Sequence, residues 1–174
     1  MVAPIFVLLG TLGGFVLLPE SIDPASLAEL DSSSYGIFSG SEMVRLDQGK
    51  AFYPDFSAEY IYGGMSWESI RPRIAVSASA QGDLWVGAGV DYEKYWSINA
   101  NDAIFVGVNF LPGLYRSGQI NLGSVVEFRS QLEVGVVQKG AWRLSAYIEH
   151  RSNANLSHVN PGIEGVGVNL GFHL

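Results

Sequence analysis

Three residues near the end of the chain have the types and spacing for acyl transfer: His150, Ser152 and Glu164. A serine hydroxyl becomes a useful nucleophile when a neighbouring base takes its proton. Imidazole is a suitable base near neutral pH, and a carboxylate holds the ring in one tautomer. His150 and Ser152 are two positions apart, which puts both side chains on one face of a strand with backbones roughly 6–7 Å apart. An imidazole spans most of that distance. Glu164 follows a short connection containing Asn160-Pro161-Gly162. If Ser152 faces Gly162 across a hairpin, His150 faces Glu164, with Cβ atoms about 4.5–5.5 Å apart. A His-x-Ser pair alone is common and weak. The acid at the pairing position gives this one its chemical sense.

The elements that must position these residues are strands. From about residue 54 onward, side chains alternate between apolar and polar with a period of two. Trp142, Leu144, Ala146 and Ile148 alternate with Arg143, Ser145, Tyr147, Glu149 and Arg151. Val166, Val168, Leu170, Phe172 and Leu174 alternate with Gly165, Gly167, Asn169, Gly171 and His173. The run from Ile120 to Val136 carries apolar residues and serines at even positions, with Asn121, Glu127, Arg129, Gln131 and Glu133 at odd ones. Further strands are expected at Phe56–Tyr62, Ile74–Ala80, Leu84–Val90 and Ile104–Phe110, and a first one around Tyr35–Gly40. The total is eight.

A soluble sandwich or barrel would turn the apolar face inward, and an outer-membrane barrel would turn it toward lipid. Strands of about ten residues match a tilted membrane span. The polar face mixes both charge signs with many glycines, which suits a narrow packed lumen. Tyr92, Tyr95, Trp96 and Trp142 lie near expected turns, where an aromatic girdle would sit. The expected fold is therefore all-β, an eight-stranded antiparallel transmembrane barrel of the outer-membrane type. With both termini on the periplasmic side, the Lys139-Gly140 turn is periplasmic and the connection from Asn153 to Gly162 faces outward. On this parity His150, Ser152 and Glu164 all lie in the lipid-facing register, where polar groups need a reason. Glu149 and Arg151 point inward.

Composition agrees. The 174 residues are 48% hydrophobic and 16% charged, with 21 Gly. Charged content is well under the ~25% of an average soluble domain, and glycine is above its ~7%. The absence of Cys excludes disulfide scaffolds, thiolate nucleophiles and Cys-ligated metal sites. A net charge of -7 argues against a nucleic-acid partner. Residues 1–28 contain an apolar stretch from Ile5 to Leu18 and small residues that allow cleavage after Ala28. They are expected to be a signal peptide or an N-terminal anchor, although no basic residue precedes Arg45. Residues 29–174 then form one barrel domain.

His150-x-Ser152-Asn153-Ala154, followed by Asn160-Pro161-Gly162 and an acid on the final strand, resembles the lipid A 3-O-deacylase family. The close match runs from Tyr147 to Phe172. The resemblance implies an eight-stranded outer-membrane barrel with a Ser-His-Glu triad at the outer-leaflet end. The implied reaction is hydrolysis of the ester-linked 3-hydroxyacyl chain at the 3-position of lipid A, without a metal or other cofactor. Ser152, His150 and Glu164 match the triad, and Asn153 and Asn160 match motif asparagines that are candidates for stabilising an oxyanion. The implied partner is lipid A, or lipopolysaccharide, among outer-membrane lipids; monomer and homodimer both stay open.

Other readings of the same residues remain. A non-enzymatic barrel serving adhesion or membrane integrity predicts no catalytic geometry, and the triad could act on a phospholipid ester. Asn160-Pro161-Gly162 is also an ordinary hairpin turn. His158 reads as loop-exposed and His173 as structural. Arg116 is a conceivable phosphate contact, and Arg151, pointing inward, is a poor one. Glu59, Arg73, Asp91, Glu127, Arg129, Glu133 and Arg143 are expected to form a structural ion-pair network in the lumen.

Overall fold

The computed structural model describes residues 29–30, 32–45, 51–65 and 69–174. The leader expected over residues 1–28 lies outside these. The chain forms eight strands: β1 (Tyr35–Arg45), β2 (Ala51–Ile61), β3 (Ile70–Ser79), β4 (Leu84–Ser97), β5 (Asp102–Arg116), β6 (Val126–Gln138), β7 (Trp142–Ser152) and β8 (Ile163–His173). Each pairs antiparallel with the next, and β8 pairs with β1 to close the barrel. Closure leaves no free edge, which a sheet surrounded by hydrocarbon requires.

Alternation decides which way each side chain points. Phe38, Phe56, Ile74, Val86, Val134, Leu144, Val166 and Val168 are exposed on the outside, as an apolar band facing lipid requires. The lumen is filled in three layers. At the expected periplasmic end Tyr35, Ile37, Ile61, Tyr95, Phe105 and Val137 form an apolar plug with Leu30. At the opposite, expected outer end Trp85, Leu111, Tyr115, Ile120, Leu122 and Ile163 form a second one.

Between the plugs lies a charged layer. Arg73 donates to Glu59 at 2.7 Å, to Asp91 at 2.7 Å and to Glu133 at 3.2 Å. Arg71 joins Asp91 and Glu93, Arg143 joins Glu93 and Glu133, and Arg129 joins Glu59. Asp91, Glu93 and Glu133 converge closely, and these guanidinium groups meet them. Burying so many charges is tolerable because each carboxylate here has a cationic partner. Glycine makes the room: a Cβ on Gly107 would come within 3.1 Å of the side chains of Glu93 and Glu133.

Four expectations need correction. The strand expected from Ile120 begins only at Val126. Ile120 and Leu122 are buried in the outer plug instead, because Asp83 Oδ1 accepts the backbone N–H groups of Gly118 and Ile120 and folds that connection inward. The first strand is longer than its weak alternation suggested and reaches Arg45. Tyr95 does not join an exterior girdle; it is 6% exposed, packs near Phe105 and donates to Glu93 inside the barrel. Glu127 is buried outside the ion-pair network, with neither carboxylate oxygen hydrogen-bonded among the described residues.

Candidate active site

Strand β7 carries His150 and Ser152, and β8 carries Glu164. The β7–β8 register pairs His150 with Glu164, as the hairpin arithmetic requires. With its proton on Nδ1, the His150 ring donates to Glu164 Oε1 at 2.7 Å. Ser152 Oγ then donates to Nε2 at 3.0 Å. Both ring nitrogens are thus engaged, and the acid fixes the tautomer that leaves Nε2 free to accept the serine proton. The His150 side chain is 18% exposed and that of Glu164 37%, so the site opens on the outer surface of the barrel and not into the lumen.

Local backbone geometry holds the ring. Gly162 adopts φ +66°, a left-handed conformation favourable to glycine, and turns the chain into β8. A Cβ at this position would stand 3.4 Å from His150 Cε1. The imidazole therefore lies toward β8, where Glu164 meets it.

The connection after Ser152 is stiffened by the two motif asparagines. Asn153 is fully buried, and its Nδ2 donates to the carbonyls of Leu122 at 2.9 Å and Val159 at 2.8 Å. Its backbone N–H donates to Asn160 Oδ1 at 3.1 Å. Asn160 Nδ2 donates to Asn155 Oδ1 at 3.0 Å. Ala154 and Asn155 both take positive φ, 51° and 65°, which reverses the chain immediately beyond Ser152.

The remaining polar residues sort by side. Arg151 is buried in the lumen and donates to Glu149 at 2.6 Å, so it does not reach the outer surface. His158 is exposed in the loop, and His173 is exposed at the periplasmic end, edge-on to Tyr35. Two further polar residues lie next to His150, Ser152 and Glu164 on the outward face. Ser130 on β6 is the register partner of His150. Glu42 on β1 faces Val166, one outward position below Glu164. Parity could have found both: Ser130 interrupts the apolar face of the Ile120–Val136 run, and Glu42 becomes visible once β1 extends past Gly40.

An inside-out barrel with a serine, histidine and carboxylate joined on its outer face defines an outer-membrane ester hydrolase. The sequence profile of the family described as lipid A 3-O-deacylase (PagL) matches residues 45–173, and the chain belongs to that family. It is thus an outer-membrane enzyme of lipid A deacylation. Its fold is similar to that in a structure described as "Crystal structure of the outer membrane enzyme PagL", with a TM-score of 0.61 and 15% sequence identity over 78% of this chain and 97% of that one. The crystal structure of Neisserial surface protein A matches with a TM-score of 0.49 and 10% identity over 81% of this chain and 96% of that one. A designed transmembrane β-barrel matches with a TM-score of 0.48 and 10% identity over 82% and 96% of the two chains. Among curated proteins no relative matches the chain.

Proposed function

We propose that Ser152 is the nucleophile, His150 the general base and acid, and Glu164 the orienting acid in hydrolysis of the 3-O-linked 3-hydroxyacyl ester of lipid A. The observation that carries this reading is the pair of hydrogen bonds that joins the three side chains through one imidazole, at 2.7 Å and 3.0 Å.

Ser152 Oγ attacks the ester carbonyl as His150 Nε2 takes its proton. The tetrahedral intermediate collapses when the imidazolium returns that proton to the sugar 3-oxygen, leaving an acyl-serine. Water, deprotonated by the same ring, then releases the 3-hydroxy fatty acid. Glu164 stays ionised and stabilises the imidazolium in both halves.

Both side-chain hydrogens of Asn153 are held by loop carbonyls, so its part is to position the loop. Asn160 Nδ2 has one hydrogen beyond its bond to Asn155 and is the better candidate to meet the oxyanion. The substrate's acyl chains find an apolar surface directly beneath the triad. A groove of about 940 Å³ runs along the outside of the barrel, lined by Gly40, Phe56, Leu132, Ala146, Ile148 and Val166 among others. Nothing in this chemistry requires a second protomer, and either a monomer or a homodimer accommodates it.

The test is mass spectrometry of lipid A from cells with and without the protein. Loss of one 3-hydroxyacyl chain is expected with the wild type, and an unchanged lipid A mass with Ser152→Ala, whose barrel should still show the heat-modifiable gel mobility of a folded one. Normal 3-O-deacylation by folded Ser152→Ala would remove the assignment.

A further inference from the structure

Ser130 is a polar residue on a face built for lipid. Its register partner is His150, and its outward neighbours along β6 are Phe128 and Leu132. It is partly exposed, and among the described residues no hydrogen bond involves its hydroxyl. A serine at such a position gains nothing from hydrocarbon, and its oxygen is free to meet a polar group that arrives with the substrate.

The geometry identifies that group. Ser152 faces Phe128, so Ser130 is its diagonal neighbour on β6. Diagonal neighbours of this kind lie about 7–8 Å apart. The His150 ring leans toward Gly162 on the opposite side. Along the outward face of β6, Ser130 lies between Phe128, the partner of Ser152, and Leu132 at the groove wall, so this lane leads from Ser152 to the groove past Ser130. An acyl chain whose carbonyl carbon is bonded to Ser152 Oγ and which descends this lane carries its third carbon about 2.5 Å further on, by ordinary C–C lengths. A hydroxyl on that carbon, with a hydrogen bond of about 2.8 Å, bridges the remaining distance to Ser130 Oγ.

Resting on the reading of Ser152 as the nucleophile, we propose that Ser130 recognises the 3-hydroxyl of the acyl chain and sets the preference of the enzyme for 3-hydroxyacyl esters over plain acyl esters. One neutral hydrogen bond in a half-solvated site gives a discrimination of roughly three- to tenfold.

The experiment compares kcat/KM of purified protein in detergent micelles on two synthetic glucosamine 3-esters of equal chain length, one 3-hydroxylated and one not. The wild type should favour the hydroxylated ester by roughly three- to tenfold. Ser130→Ala should bring the ratio close to one, and Ser130→Thr, which keeps a hydroxyl, should restore most of it. An Ala variant that keeps the wild-type ratio would overturn the inference, because a residue that merely supports His150 slows both esters alike. A wild-type ratio of one would overturn it as well. Failure of folded wild type on both esters would remove the Ser152 reading, and this inference with it.

Discussion

The acid of the triad offers the sharpest quantitative test, because Glu164 is far more exposed than the buried carboxylate of many serine hydrolases. In Glu164→Gln the amide oxygen can still accept the Nδ1 hydrogen, so the ring keeps its tautomer and its orientation. What is lost is the attraction between a carboxylate and the imidazolium that forms in the transition state. With Nδ1 and Oε1 2.7 Å apart, the charge centres are close to 4 Å. Two unit charges at that distance attract by about 4 kcal/mol near a protein surface and about 1 kcal/mol in bulk water. Side-chain exposures of 18% and 37% put the pair between those limits, and about 2–3 kcal/mol is the corresponding loss. At about 1.36 kcal/mol per decade, kcat should fall by roughly 30- to 150-fold. Glu164→Ala, which also frees the ring, should fall further. The assay is single-turnover release of the 3-hydroxy fatty acid by purified, folded variants, with Ser152→Ala as the floor. A Glu164→Gln rate within threefold of wild type would refute the electrostatic role. A rate as low as that of Ser152→Ala would refute the argument from solvent screening, because with the tautomer kept the charge alone would carry the whole effect.

Two further perturbations probe the scaffold. Arg73 is fully buried and bridges Glu59, Asp91 and Glu133; Arg73→Met should lower barrel stability by about 3–5 kcal/mol in urea unfolding from lipid vesicles. Adding Asp91→Asn, which leaves Arg71 its partner Glu93, should recover part of that loss, and equal stability of Arg73→Met and wild type would mean the charged layer is dispensable. Gly162→Val places a β-branched side chain at φ +66°, against His150 Cε1; strain of about 1–3 kcal/mol should be relieved by moving the ring, so kcat should fall at least tenfold while KM changes little. A Val variant of normal kcat would show that the turn does not hold the imidazole.

Parity carried much of the fold in the sequence, and its misreadings have identifiable physical causes. Strands β7 and β8 were legible because apolar side chains alternate there with residues that fit a crowded lumen, and the register between them followed from a single turn. Ile120 and Leu122 keep the same alternation, yet they are buried in a connection. The backbone N–H groups of Gly118 and Ile120 are captured by the Asp83 carboxylate rather than by a neighbouring strand, and a long-range bond of that kind leaves no trace in local periodicity. Tyr95 looked like an interface aromatic from its type and its place near a turn. Its odd position puts it on the same side as Asp91 and Glu93, and that side is the lumen. The charge list was legible, but its pairing was not: Glu127 looks like a network member in the sequence, yet its carboxylate oxygens make no hydrogen bond among the described residues. The motif asparagines were legible as neighbours of the proposed nucleophile, whereas the two carbonyls that occupy Asn153 come from Leu122, far away in sequence, and from Val159.

The proposed catalytic geometry and barrel closure are coupled by register. His150 and Glu164 meet only because β7 and β8 pair in one alignment, and β8 is also the strand that closes on β1. A slip of one residue in the β7–β8 pairing would turn Glu164 into the lumen and bring Gly165 out, removing the acid and burying an unmatched carboxylate beside Glu149. The same slip would turn Val166, Val168 and Leu170 inward and set Asn169 against lipid. The charged layer resists it, since Asn169 donates to Glu133 at 2.8 Å and accepts from Ser39 at 2.5 Å across the lumen wall. The inward face of β8 therefore fixes the position of the acid on its outward face. A lumen filled by two apolar clusters and a layer of ion pairs gives the proposed site its support, since no second wall of protein stands outside so small a barrel.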